Sequence, residues 1–371
     1  MNIYTPSDHE GIQATSLADR AALVETVHRL LVKNSDETAI RRIMATERGY
    51  DTSLWQELAG VGITGLIIPV EDGGTGLRSV ELELVSEEVG AALLCSPFLS
   101  SSVFGAALLQ ALDERRHLPA IAAGSLIVTV AVAGSRGTWT RDDVDVVATS
   151  ATLSGTSRYV LDGQNADILL VVARAKEDEI EIFEVPAASP GVTIEPLQTF
   201  DQTRRLAHVH FNGAKGRLIG NGWQAVEQAL NVARIALAGE QAGGGREIFN
   251  RTVEYAKQRF QFGRAIGGFQ AIKHMAADLF LESESSLSAA RNAAEQFDKG
   301  PGHDTQAIPL AGFACADAFV KIAADAIQMH GGIGFTWEHP AHLFLRRARS
   351  NAQLFGPSAQ YREWFLQALG G

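Results

Sequence analysis

Glu240 sits in the run RIALAGEQAGGGREIF, residues 234–249, which otherwise follows a helical pattern. Glycines occupy positions 239, 243, 244 and 245 around it. A glycine inside a helix costs roughly 1 kcal/mol against alanine, so four of them so close together need a compensating reason. Two reasons fit the residue types. The glycines could clear room for a ligand and leave Glu240 as the one side chain able to take a proton. A carboxylate shielded in that way would have a raised pKa, which suits a base working near neutral pH. Alternatively, the glycines let another helix approach, and Glu240 is the buried partner of an arginine. We carry the catalytic reading forward as the expectation. Glu247, two turns further on beside Arg246 and Asn250, is the weaker candidate.

The elements that must position this acid are legible in the hydrophobic spacing. Residues 16–118 read mostly as helices: LADRAALVETVHRLLVK and SVELELVSEEVGAALL carry apolar residues at a spacing of three and four. Between them, ELAGVGITGLIIPVEDGGTG ends in a glycine-rich surface loop after Pro69. From about 125 the pattern changes to short β-branched segments separated by turn residues, among them SLIVTVAVAG, DILLVVARA, EIEIFEVPA and LAHVHFNG. These read as strands of one antiparallel β domain, closed near LIGNG at 218–222. Long helical patterns return from 223, broken at DKGPGHD (298–304) and HGGIGFTWEHP (330–340). The expected fold is α+β in three domains: an N-terminal helical domain (1–120), a middle antiparallel β domain (121–220) and a C-terminal helical bundle of four-helix type (221–371). Segregated helices and strands argue against a doubly wound βαβ fold, and no GxGxxG follows a strand as a dinucleotide site would need.

Composition narrows the function classes. The chain has 371 residues, enough for two or three domains, and its 46% apolar content is that of a globular protein with a large core. A net charge of −11 argues against binding nucleic-acid backbones or anionic membranes, so any anionic ligand needs local Arg or Lys. Cys95 and Cys315 both lie in apolar helical context, which excludes a disulfide scaffold and a cysteine zinc site and fits a reducing compartment. The histidines show no HxxxH or HExxH spacing, so no metal is expected. His330 reads as a structural histidine. No signal pattern opens the chain and no uninterrupted apolar run reaches 18 residues. The expectation is a cytoplasmic protein with no membrane span.

Three stretches together carry a resemblance. QRFQFGRAIGGFQAIKHMAADLF (258–280) places Arg259, Phe262 and Gln270 ahead of a helix. QMHGGIGFTWEHP (328–340) places Gln328 before Gly331 and Gly332. LWQELAGVGITGLIIPVEDGGTG (54–76) has a proline followed by a glycine-rich turn. Together these resemble the acyl-CoA dehydrogenase family over most of the chain. The resemblance implies FAD as cofactor, with Arg259, Phe262, Gln270, Gln328, Gly331 and Gly332 holding its adenine and diphosphate across a subunit boundary. Their chemistry agrees: Arg259 offers a planar fork to phosphate, Phe262 a flat apolar face, Gln270 both a donor and an acceptor, and the glycines a close backbone approach.

A fourth stretch departs from the family. TVAVAGSR (129–136) resembles the family's flavin-facing run through Thr129, Ala133, Gly134 and Ser135, but lacks its Glu, Pro and Asp. In YVLDGQNAD only Gly163 of the next flavin-facing run is clear. The reaction implied is α,β-dehydrogenation of an acyl-CoA thioester to the 2-enoyl-CoA, with a carboxylate taking the α-proton. Electron-transfer flavoprotein is the implied electron acceptor. Where many relatives carry that carboxylate this chain has Phe355, and where others carry it there is Ala233; Glu240, two helical turns after Ala233, is then the remaining candidate. Arg234 by resemblance contacts the CoA part of the substrate, although alone it reads equally well as a surface arginine. The resemblance implies a homo-oligomer or a hetero-oligomer with a related chain. The departures allow a second function, a non-catalytic FAD-binding partner subunit. A third is another flavoenzyme on the same fold, such as an oxidase.

Overall fold

The computed structural model describes residues 15–300 and 305–370. The first residues, read above for a signal pattern, and residues 301–304 of the expected break lie outside the described residues. Helices α1 (Leu17–Asn34), α2 (Glu37–Met44) and α3 (Thr52–Gly60) come first. Each begins at a side chain that meets its free N–H groups: Ser16, Asp36 and Asp51 accept from Asp19, Ala39 and Ser53 respectively. After the expected glycine-rich loop come α4 (Ser79–Ala91), a π-helical stretch Phe98–Gly105, α5 (Ala106–Ala111) and α6 (Leu118–Ala122).

Eight strands follow, β1 (Val128–Ala131), β2 (Val147–Thr149), β3 (Thr152–Leu161), β4 (Ile168–Arg174), β5 (Ile180–Pro186), β6 (Val192–Pro196), β7 (Leu206–Lys215) and β8 (Arg217–Asn221). They form one sheet in the order β6-β7-β3-β2-β4-β5-β8, with β1 also beside β4. The expectation of a wholly antiparallel domain needs correction. β1 and β2 both run parallel to β4, end to end along one edge, Val128 opposite Ile168 and Val147 opposite Arg174. The chain leaves that edge between 131 and 147 and rejoins it, and a strand that resumes on the same edge in the same direction keeps the same sense.

The C-terminal part holds α7 (Trp223–Gln258), a short hairpin β9 (Phe260–Gln261) and β10 (Arg264–Ala265), α8 (Gln270–Asp298), α9 (Ala307–His330), α10 (Ala341–Asn351) and α11 (Ser358–Ala368). Among the described residues α9 is the helix long and apolar enough to cross a membrane by composition. Its apolar residues pack against α7, α8 and α10 inside the bundle.

The glycines around Glu240 serve this packing. A methyl group on Gly239 would come within 2.7 Å of the Glu83 carbonyl oxygen of α4, and one on Gly243 within 1.9 Å of the Glu87 carbonyl oxygen. On α4 itself, a methyl on Gly90 would meet the Glu240 carbonyl oxygen at 1.9 Å. Gly244 gives room to the Phe319 ring of α9. The helices interpenetrate at backbone distance, so the expectation that these glycines clear space for a ligand is corrected: helices α4 and α9 occupy that space.

Asp162 shows how tightly the sheet seats on the helices. It follows β3 in the left-handed region, φ 49°, and its carboxylate accepts from Ser100 Oγ of the π-helical stretch at 2.6 Å. Burial pushes its pKa up to about 6, against the opposing pull of Ser100, Arg204 and Arg205. A raised carboxylate pKa means stability that is complete below the unfolded value and is lost as pH rises through the folded one. At neutral pH the ionised Asp162 therefore costs about 3 kcal/mol on the scale of 1.4 kcal/mol per unit. Asparagine keeps the acceptor for Ser100 and tolerates the left-handed backbone. Asp162→Asn should raise Tm at pH 8 and have a much smaller effect at pH 5, read by calorimetry. A lower Tm at both pH values would refute this account of Asp162.

Candidate active site

Glu240 is enclosed by charge. Arg204 Nη2 donates to both its oxygens at 2.5 and 2.7 Å, Arg347 Nη1 to Oε1 at 2.8 Å, and Asn351 Nδ2 to Oε1 at 2.9 Å. Arg347 reaches on to Asp201 Oδ2 at 3.0 Å through Nε. Burial by itself would raise the Glu240 pKa, but Arg204 and Arg347, with the Asn351 amide, outweigh it and hold the group at about 2. The expected raised pKa is thus reversed, and Glu240 is corrected from candidate base to counterion of two buried arginines. Glu247 accepts from Arg251 Nε at 2.6 Å on the half-exposed flank of α7.

Phe355 is fully buried and occupies the other position where the resemblance looks for a carboxylate. It sits at a turn with φ 57°, next to Gly356 at φ 128°. Its ring meets Phe104 edge-on at 5.4 Å and Trp139 at 5.0 Å between centroids. Phe104 comes from the π-helical stretch and Trp139 from the excursion between β1 and β2. Three aromatic rings in the favoured edge-to-face arrangement close this place to a proton acceptor.

Arg234 lies just behind that turn. Only 4% exposed, it pairs with Glu227, donates to Asn231 Oδ1 at 2.8 Å, and stacks over Trp364 at 4.6 Å. A side chain packed in this way is not a surface arginine, and that alternative reading is corrected. Ser135 is exposed at the tip beyond β1, its N–H held by Asp145 Oδ2 at 2.6 Å. The neighbouring glycine matters for packing: a methyl on Gly134 would meet the Asp143 carbonyl oxygen at 1.9 Å. Nearby, a shift of register in β3 opposite β7 turns Tyr159 outward with φ 53°, edge-on to His208 at 5.5 Å. This bulge had no signal in the residue spacing, although bulges often re-aim a side chain.

The two remaining motifs meet at one end of the bundle. Arg259 ends α7, Phe262 tops the hairpin at φ 54° and 91% exposure, and Gln270 opens α8, bonded to His274 at 2.9 Å. Gln328 lies in the last turn of α9, followed by Gly331 and Gly332. Tyr255, one turn before Arg259, stacks on His330 at 4.4 Å, which ties the second loop to the first. His330 donates from Nδ1 to the Ala326 carbonyl at 2.7 Å, since a carbonyl only accepts, and packs 4.2 Å from His339, a structural role. Among the described residues no carboxylate pairs with Arg259, and methyl groups on Gly331 or Gly332 would meet nothing within 4 Å. A free guanidinium, an exposed aromatic face and an open glycine backbone suit a diphosphate joined to a flat ring, so these residues fit FAD. Along α7, Arg259 lies about 28 Å from Glu240 at 1.5 Å per residue. The arrangement can hold a dinucleotide at one end of the bundle, while the middle of α7 is closed structure.

Family models for the acyl-CoA dehydrogenase N-terminal and C-terminal domains match residues 18–125 and 220–369. The acyl-CoA dehydrogenase IpdE2 of Mycobacterium tuberculosis is 35% identical over 338 residues, 91% of this chain and 92% of that one. The chain belongs to the acyl-CoA dehydrogenase family. Members are FAD-dependent oxidoreductases acting on CH–CH bonds, and the helical, β and helical parts expected from the sequence are those of the family fold. Among solved structures, the ChsE4–ChsE5 complex of Mycobacterium tuberculosis is 26% identical with a TM-score of 0.87, covering 96% of this chain and 98% of that one. A glutaryl-CoA dehydrogenase of Mycobacterium smegmatis in complex with FADH2, 18% identical at a TM-score of 0.83 over 95% of this chain and 94% of that one, shares the fold.

The Glu240 geometry makes a direct prediction for this acyl-CoA dehydrogenase. Removing one partner of a buried charge pair costs about 3–5 kcal/mol, because the other is left uncompensated. Glu240→Gln should therefore lower Tm at pH 7 clearly, and leave flavin bleaching per bound flavin within a few-fold. A lowered carboxylate pKa gives stability that is present above the unfolded value and lost as pH falls through the folded one. The variant should accordingly show a flatter loss of stability between about pH 4.5 and 2, values set by the ordinary and folded pKa. An unchanged Tm with bleaching slowed 10²–10⁴-fold, as loss of a general base brings, would restore Glu240 as the base.

Proposed function

We propose that this chain is one of two unlike subunits of an FAD-dependent acyl-CoA dehydrogenase, and that the carboxylate which takes the α-proton comes from the partner subunit. The observation that carries this reading is the pair of closed positions: Phe355 sealed by Phe104 and Trp139, and Glu240 held between Arg204 and Arg347. The reaction of the assembled enzyme is α,β-dehydrogenation of an acyl-CoA thioester to the 2-enoyl-CoA, with electron-transfer flavoprotein as acceptor. A solved relative in the form of a ChsE4–ChsE5 complex supports assembly from two chains.

In this reading Arg259 pairs with the diphosphate of FAD, Phe262 covers a flat face of it, and Gln270 and Gln328 hydrogen-bond to it. Gly331 and Gly332 would let the backbone come close, and Ser135 would be a further residue holding the cofactor. FAD, when bound, accepts the hydride from Cβ of the substrate. The exposure of Phe262, with Phe260, Phe335 and Trp337 also exposed, supports a site completed only when another chain covers this end. Two buried, unpaired cysteines support a reducing compartment, and we place the protein in the cytoplasm.

The test compares the chain purified alone with the chain co-expressed with a related acyl-CoA dehydrogenase that retains the carboxylate. Light scattering reads the assembly, the visible spectrum reads flavin, and stopped-flow bleaching with a saturated acyl-CoA reads the reaction. The expected result is little flavin alone, and a flavin-loaded hetero-oligomer that bleaches. A flavin-loaded homo-oligomer of this chain that bleaches at the rate of the pair would overturn the proposal and return the reaction to this chain alone. In the hetero-oligomer, Arg259→Ala should lower flavin content at unchanged Tm of the apoprotein. Full flavin occupancy in that variant would remove Arg259 from the cofactor site.

A further inference from the structure

A small cavity lies between α7, α9, α10 and the turn that carries Phe355. Arg234, Gln241, Ala316, Asn351, Leu354 and Tyr361 are among its lining residues. It leaves about 10 Å³ for the centre of a water-sized sphere, room for about one water and nothing larger. Two of the lining side chains carry buried hydrogen-bonding groups that have no partner among the described residues. Arg234 uses Nη1 on Glu227 and Asn231, while its buried Nε and Nη2 have no hydrogen-bond partner among the described residues. Asn351, 1% exposed, has no such partner at Oδ1.

The orientation of Asn351 is fixed by chemistry. Its Nδ2 donates to Glu240 Oε1, and an ionised carboxylate only accepts. Turning the amide over would set two oxygens against each other, so Oδ1 has to be the atom without a partner. Tyr361 donates its one hydroxyl proton to the Phe355 carbonyl at 3.2 Å, so it has none for Asn351 Oδ1, although its oxygen is close enough to Arg234 to interact with it. Buried polar groups in native proteins find a partner in nearly every case, and where no side chain reaches, an internal water does.

We propose that this cavity is a hydration site for a single water, which accepts from Arg234 and donates to Asn351 Oδ1. The ligand must both accept and donate. That excludes an anion, which Asn351 Oδ1 would repel and whose charge Glu227 has already matched at Arg234. It excludes a cation for the opposite reason. The water closes a chain of hydrogen bonds from Arg234 through Asn351 to Glu240 and Arg347, directly behind the turn that holds Phe355 among its aromatic neighbours.

A crystal structure of the full chain, alone or in its complex, tests this at a resolution that shows ordered water. One density peak should lie about 2.7–3.2 Å from an Arg234 nitrogen and from Asn351 Oδ1. A cavity without density would overturn the proposal. A second measurement uses two variants of equal shape at the cavity wall, Ala316→Thr and Ala316→Val. Both fill the space and expel the water, and any steric strain is common to both. Only threonine supplies a hydroxyl in its place, so its Tm should exceed that of the valine variant by a few degrees. Equal Tm values, or a higher one for valine, would mean that the cavity is dry.

Discussion

The structure turns on one guanidinium. Arg347 is 1% exposed and all three of its nitrogens are engaged, on Asp201, on Glu240, on the Thr203 hydroxyl and carbonyl and on the Leu94 carbonyl. Those partners come from the turn after α4, the segment between β6 and β7, and α7, while Arg347 itself belongs to α10. Taking such a charge out of water costs several kcal/mol, which close and complete pairing offsets. Asp201, Glu240, Arg204 and Arg347 sum to zero charge, so the cluster is stable only as a whole. The three parts of the chain are therefore fixed relative to one another by a constraint that fails if any one of them shifts. A geometry of this kind favours one arrangement over many, which apolar contacts alone do less sharply.

Around this cluster α7 meets α4 at backbone distance on one side and the Phe319 and Ile322 side chains of α9 on the other. The glycines that permit this are those of the run around Glu240, with Gly90 answering from α4. A helix of 36 residues pinned at its middle in this way has two free ends with different surroundings. One end meets the β domain and α5. The other carries Arg259 and the hairpin with Phe262, beside the loop that follows Gln328. What the pinned middle provides is the separation between the ends, and that separation keeps Arg259 and Phe262 away from the closed aromatic turn.

The order of helices, strands and helices was legible because hydrophobic period is a local property. The two loops that carry Arg259, Phe262, Gln270 and Gln328 stood out by resemblance to the family, since their residues are close in sequence within each loop. The glycine run was ambiguous because a missing side chain serves a ligand and a neighbouring helix equally. Only distant residues decide between them: Arg204 and Arg347 stand 36 and 107 positions from Glu240. The parallel pairing of β1 and β2 with β4 was hidden for a similar reason, since strand direction depends on where the intervening chain runs. Asp201 and Arg347 were missed for want of any local signal, as neither lies in a motif.

A carboxylate at the Phe355 turn would stand among Phe104, Trp139 and Leu354, and burial would push its pKa upward, as it does for Asp162. That is the tuning a base requires, so the position is chemically apt for one. This chain instead fills it with a ring that packs edge-to-face on both neighbours and is backed by Tyr361 and the Arg234 cavity. The substitution is therefore accommodated by the whole surrounding wall, and not left as a hole. A wall built to fit phenylalanine belongs to a subunit whose remaining chemical assets lie at its open end, where Arg259, Phe262 and the glycine loop face outward. On the proposed reading, such a subunit contributes cofactor-holding surface and the proton acceptor comes from a different chain.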